Sequence, residues 1–195
     1  MMQPRRTSDA WLRSTLLGVV IVLVAAPGAV ADEVEVRQFL NQATTVMAAP
    51  PVRLVTLERV SRGRIAYYRA GRIYFFAPLY RSPFRLEIAA HELGHHLQGR
   101  PSLRRLSPRT ATREHEQYVR EVDANVRAVT ILVRVRRLEE EEAVRRIHRL
   151  LLTLHASPLA DGGSPGLGHR DRCREAADLT ARYPQYRLAA GPCGS

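Results

Sequence analysis

The chain contains no lysine: all 30 of its basic residues other than histidine are arginine. That absence excludes a phosphate-binding loop, which ends in Lys-Ser/Thr, so the glycine-rich stretch Asp161–Gly168 reads as a connection or a lid on the substrate side. Cysteine is nearly absent as well. The two present, Cys173 and Cys193, have a spacing that matches no zinc pattern. Aromatic residues make up 6% of the chain and form no cluster with the arginines, which are spread along it. The formal charge of +11 therefore points to solvated arginines rather than a nucleic-acid module, with attraction to an anionic membrane or cell-wall surface as the secondary expectation. The one apolar run, Leu16–Ala26, is too short and too interrupted to span a membrane well.

What is present begins with the layout of a secretory signal peptide. Arg5, Arg6 and Arg13 precede that apolar run, and Pro27-Gly28 leads to the small-residue sequence Ala29-Val30-Ala31. Residues 1–31 are expected to be removed after Ala31, placing the mature chain in the periplasm or outside the cell; an uncleaved N-terminal anchor is the alternative. Cleavage removes three Arg and one Asp and lowers the charge from +11 to +9. Residues 32–195 are enough for one modest domain. In an exported protein, Cys173 and Cys193 are expected to form a disulfide that ties the C-terminal tail to the preceding helix, worth about 3 kcal/mol in the chain-entropy view.

The most informative string is His91-Glu92-Leu93-Gly94-His95. Two His four residues apart on a helix project from one face and reach a single metal ion, while Glu92 stands beside the open coordination position. A chain of this composition would show HExxH by chance roughly once in sixty, so the surroundings matter. Ser82-Pro83 reads as an N-cap followed by proline at the first helical position, and Gly99 with Pro101 as the stop, predicting a helix over 83–98. Leu86, Ala90, Leu93 and Leu97 give it an apolar stripe next to the His face.

The remaining pattern predicts a helix over 33–48, a strand over 52–60, and a hairpin of strands 64–68 and 72–76 joined by Arg69-Ala70-Gly71. Long helices follow over 113–137, with a face of Val119, Val122, Val126, Val129 and Val133, and over 139–155, with a stripe of Val144, Ile147, Leu151 and Leu154; a last one covers 170–182. The fold class expected is α+β: a small domain with a short antiparallel sheet or hairpin packed on a mainly helical body, the HExxH helix at its centre.

HExxH supplies two ligands and a catalytic zinc usually takes three from the protein. A third His in the pattern HExxHxxGxxH is excluded, because Gln98 and Pro101 occupy the Gly and His positions. Glu121 offers a carboxylate on the following helix, and Asn125, at i+4, shares its face and can orient a ligand from behind. Asp123 projects about 200° away around that helix. It remains a rival third ligand, as do His115 and the absence of a third protein ligand.

The string Ala90-His91-Glu92-Leu93-Gly94-His95-His96-Leu97, followed by Glu121-Val122-Asp123-Ala124-Asn125, resembles the gluzincin metallopeptidases, and is most similar to compact ImmA/IrrE-type and minimal members. The resemblance covers roughly residues 65 to 133. It implies a small zincin-like domain, one zinc ion held by His91, His95 and Glu121, Glu92 as general base, Asn125 behind the ligands, and a peptide or protein as substrate. His169 resembles a His that follows the third-ligand helix in some membrane-associated gluzincins, and with Tyr118 it is a candidate to stabilise the transition state. A strand near Ile73–Phe76, if at the sheet edge, would hold an extended substrate by backbone pairing. The alternative expectation is a non-catalytic exported protein that keeps the fold and binds peptide or a cell-envelope component.

Overall fold

The structure is a computed structural model that describes residues 27–59, 65–99, 110–156 and 172–189. It opens with α1 (Pro27–Val46), which buries Val36, Phe39, Leu40 and Ala43 at helical spacing. This helix begins before the expected cleavage point, so removal of residues 1–31 would leave Asp32–Val46 as its body. Strands β1 (Arg53–Leu57), β2 (Ala66–Arg69) and β3 (Arg72–Phe76) follow, then a 3-10 turn (Ala77–Arg81). Next come α2 (Arg85–Leu97), α3 (Thr110–Arg136), α4 (Glu140–His155) and α5 (Arg172–Arg182). The expected α+β class is the one found. None of the described helices is long and apolar enough to cross a membrane.

The expected antiparallel hairpin is found, but the sheet that contains it is mixed rather than antiparallel throughout. Its order is β1-β3-β2, with β3 antiparallel to β2 but parallel to β1. β3 takes the centre because it is the most deeply apolar strand: Ile73 and Phe75 are both fully buried, on the face shared with Leu54 and Ala66. With both edges paired, β3 cannot receive a substrate strand, which overturns the role expected for Ile73–Phe76. The hairpin loop is Ala70-Gly71, not three residues. Both have positive φ, 48° and 78°, the two-residue geometry whose twist matches the strands.

The start of α2 also differs. The chain is helical from Arg85, and Ser82 acts one step earlier, its Oγ accepting from the Phe84 N–H at 3.1 Å. The valine face predicted for α3 is found in part: Val129 is buried and Val126 and Val133 pack against the core, but Val119 is 50% exposed, and the buried face also runs through Glu121, Ala124, Asn125, Ala128, Ile131, Leu132 and Val135. The reason is close helix packing. Gly94 of α2 faces the backbone of Ala124, so small residues of α3 turn toward α2, the helix on which it packs most extensively. α4 packs Val144, Ile147, Leu150 and Leu151 into the same core, and α5 closes it with Ala176 and Leu179. Glu87, buried near the start of α2, is paired with Arg146 of α4 at 3.3 Å, which compensates its charge.

Candidate metal centre

Because α2 and α3 approach so closely, three side chains converge between them. His91 and His95 project from α2 one turn apart, and Glu121 reaches across from α3. Glu121 Oε2 lies 3.2 Å from His91 Nε2 and 3.4 Å from His95 Nε2, and the two Nε2 atoms are 3.2 Å apart. Two imidazoles and a carboxylate bound tetrahedrally at metal–ligand distances of roughly 2.0–2.2 Å would lie roughly 3.3–3.5 Å from one another. The donor atoms thus already have nearly the spacing of one face of such a tetrahedron, and the buried group could hold a metal ion.

Both imidazoles are held from behind. His91 Nδ1 lies 2.8 Å from Asn125 Oδ1, which makes Nδ1 the donor and turns Nε2 toward Glu121. His95 Nδ1 is placed likewise, 3.1 Å from Gln98 Oε1. The Gln98 amide is anchored in turn, donating to the Arg120 carbonyl at 2.6 Å and to Asp123 Oδ2 at 3.1 Å.

Asp123 is thereby removed from the list of third ligands. It bonds Gln98 and Arg127 on another face of α3, and its side chain is 44% exposed. His115 is exposed and stands outside the cluster. His96 ties α2 to the sheet instead, through the Tyr68 hydroxyl at 3.1 Å and the Pro50 carbonyl at 2.9 Å.

Charge in the pocket is tightly coupled. Burial pushes the Glu92 carboxyl above its ordinary value; His91, His95 and Arg172 pull it back, while Glu121 adds to the rise. For His95, burial alone would disfavour the charged ring, but the hydrogen bond and the charge of Glu121, with Glu92 and Gln98, outweigh it and raise the imidazole to about 9. A proton on His95 offsets part of the charge of Glu121.

Of the other residues singled out, the Tyr118 hydroxyl donates to Asp178 and its ring lies under the Arg174 guanidinium at 4.2 Å. An oxyanion-stabilising role for Tyr118 would require the Asp178 bond to break. His169 and Cys193 lie outside the described residues; Cys173 sits in the first turn of α5. Sequence reasoning passed over Gln98, although its place three residues after His95 puts it on the same helix face. It also passed over Arg172 and Glu175, which α5 brings to the back of Asn125 from far along the chain. No protein-family model, curated protein or solved structure matches the chain.

Proposed function

We propose that the chain is an exported zinc-dependent peptidase of gluzincin type. The observation that carries this reading is the triangle of His91 Nε2, His95 Nε2 and Glu121 Oε2, with a buried glutamate, Glu92, next to His91 on the same helix. A donor set of two imidazoles and one carboxylate favours zinc over the hard cations that seek all-oxygen sites, and three protein ligands leave a position open, as a catalytic site needs. Zinc bound there would acidify a water molecule and polarise a carbonyl.

The work of the chain's own residues follows from their chemistry. Glu92 accepts a proton from the attacking water and delivers it to the nitrogen of the breaking amide bond, so the products are a carboxylate and an amine. Burial helps by bringing a carboxyl closer to the pH at which it must both take and give a proton. Asn125 and Gln98 keep the two imidazoles in the tautomer whose Nε2 can bind a metal. With β3 enclosed, β2 is the edge strand that packs on α2, and an extended peptide could pair along its outer edge. Export is supported by the leader-like pattern of residues 1–31.

The test is metal analysis of the purified mature protein together with Glu92→Gln. One zinc per chain in both forms is expected, with peptide hydrolysis confined to the native protein. Failure to bind zinc would remove the metal centre. Equal zinc binding with no hydrolysis by the native protein across a broad peptide library would favour the non-catalytic binding protein.

A further inference from the structure

Behind each metal-facing imidazole stands a carboxamide, and behind each carboxamide a carboxylate. For His95 the carboxamide is Gln98, whose NH2 has two acceptors, the Arg120 carbonyl and Asp123. For His91 it is Asn125, whose NH2 has one acceptor shown among the described residues: Glu175 Oε2, at 3.0 Å. Glu175 comes from α5, 50 residues further along the chain, and its charge is met by Arg172 at 2.9 Å.

A carboxamide can turn end over end with almost no change of shape. The two orientations have opposite consequences here. With Oδ1 toward His91, the ring must carry its proton on Nδ1, and Nε2 is free to bind a metal. With Nδ2 toward His91, the favoured tautomer carries the proton on Nε2, which blocks the ligand atom. An ionised carboxylate can only accept, so Glu175 can pair with nothing but the NH2 end of Asn125, and that choice sends Oδ1 to His91.

Packing does not explain this carboxylate. Glu175 is 1% exposed, and its buried Oε1 has no hydrogen-bond partner among the described residues. Leaving a buried acceptor unsatisfied generally opposes folding, so the ion pair that Oε2 makes with Arg172 accounts for only part of this carboxylate's place. Resting on the reading of His91, His95 and Glu121 as a metal centre, we propose that Glu175 is a positioning residue that fixes the Asn125 amide and, through it, the metal-competent tautomer of His91.

The experiment combines zinc titration with 15N NMR of the imidazole rings in the metal-free full mature chain, read where His91 is neutral. Glu175→Leu removes the acceptor; it is expected to weaken zinc binding 10- to 100-fold and to turn a single Nδ1–H form of His91 into a mixture. Glu175→Gln keeps an acceptor oxygen for Asn125 and is expected to stay within a few-fold of the native affinity. Adding Asn125→Asp to Glu175→Leu places a group that accepts whichever way it turns, and is expected to restore both the tautomer and the affinity. A merely structural role would not be rescued in this way.

The proposal is overturned if Glu175→Leu retains the single tautomer and native zinc affinity. It is equally overturned if Glu175→Gln loses as much as Glu175→Leu, which would make the charge rather than the acceptor responsible. Should Glu175→Leu fail to fold, Glu175→Ala carries the same expectation. If the native chain binds no zinc, the metal reading fails, while the His91 tautomer in the metal-free variants still decides the role of Glu175.

Discussion

Replacing Gly94 by alanine tests the contact on which the candidate site depends. In an ordinary helix interior, Gly→Ala is stabilising by roughly 0.5–1 kcal/mol, because glycine loses more backbone freedom on folding. Here the added Cβ would stand 2.7 Å from the Ala124 carbonyl oxygen, 3.1 Å from its Cα and 3.3 Å from its carbonyl carbon. Ordinary carbon contacts lie at roughly 3.5–4.0 Å, so α2 and α3 must separate by several tenths of an ångström. No flexible side chain can give way, since all three atoms are backbone. Overpacking of this kind costs about 1–3 kcal/mol, which outweighs the helix-propensity gain and leaves a net loss of about 1–2 kcal/mol. For a chain of this size that lowers Tm by roughly 2–8 °C. Glu121 lies one turn before Ala124, so the same separation draws Oε2 away from the two imidazoles. Zinc affinity is expected to fall at least tenfold, because metal sites tolerate ligand displacements of only about 0.5 Å. The assays are thermal unfolding of the metal-free protein and zinc titration. Adding Ala124→Gly should not rescue the variant, since the clash is with backbone. A Gly94→Ala protein that is more stable than the native one, with unchanged zinc affinity, would refute the reasoning.

Three further outcomes are expected. His95 is raised in the folded metal-free protein from 6.5 to about 9, so a metal must displace its proton below that pH; apparent zinc affinity should climb about tenfold per pH unit from 6.5 to 9 and then flatten. The sign for stability is opposite: the raised imidazole stabilises the metal-free fold fully below pH 6.5, and that contribution disappears as pH rises through 9, which pH-dependent denaturant unfolding would detect. Non-reducing mass analysis of protein produced in an oxidising compartment should find Cys173 and Cys193 joined, with reduction costing about 3 kcal/mol of stability; two titratable thiols in the denatured protein would contradict the pairing. Arg53, Arg72 and Arg69 stand opposite one another across the three strands and are all exposed. Changing all three to Gln should weaken binding to vesicles containing anionic lipid by up to about 100-fold, at about 1 kcal/mol per arginine, and unchanged sedimentation would dismiss that surface.

The parts of the fold legible in the sequence were those written in local periodicity. The stripe of α4 and the hairpin strands depend on neighbours along the chain, and each is found within a few residues of its expected place. The α3 face was legible in part: Val129 is buried as its spacing suggests, but the side turned to α2 is set by what that helix allows near Gly94, namely Ala124, Asn125 and Ala128. Strand order escaped for a similar reason. Alternation of side chains says which face of β3 is buried but not which strands flank it, and only the burial of Ile73 and Phe75 explains its central place.

The same distinction divides the site. His91, Glu92 and His95 share one helix at a spacing with a direct geometric meaning, and Glu121 with Asn125 repeats that spacing on the next. Their convergence is visible in the Nδ1 and Nε2 contacts of His91, both made with residues of α3. Glu175 carries no such local mark. It reaches Asn125 only because α5 folds back onto α3, a long-range consequence of packing Ala176 and Leu179 into the core.

The most direct test of the metal centre is zinc K-edge X-ray absorption on the protein loaded with one equivalent of zinc, compared with Glu121→Ala. The expected spectrum has two imidazole nitrogens and oxygen donors at roughly 2.0–2.2 Å, with the protein carboxylate contribution lost in the variant. A spectrum without imidazole scattering, or one identical in Glu121→Ala, would contradict the assignment of His91, His95 and Glu121 as the ligands.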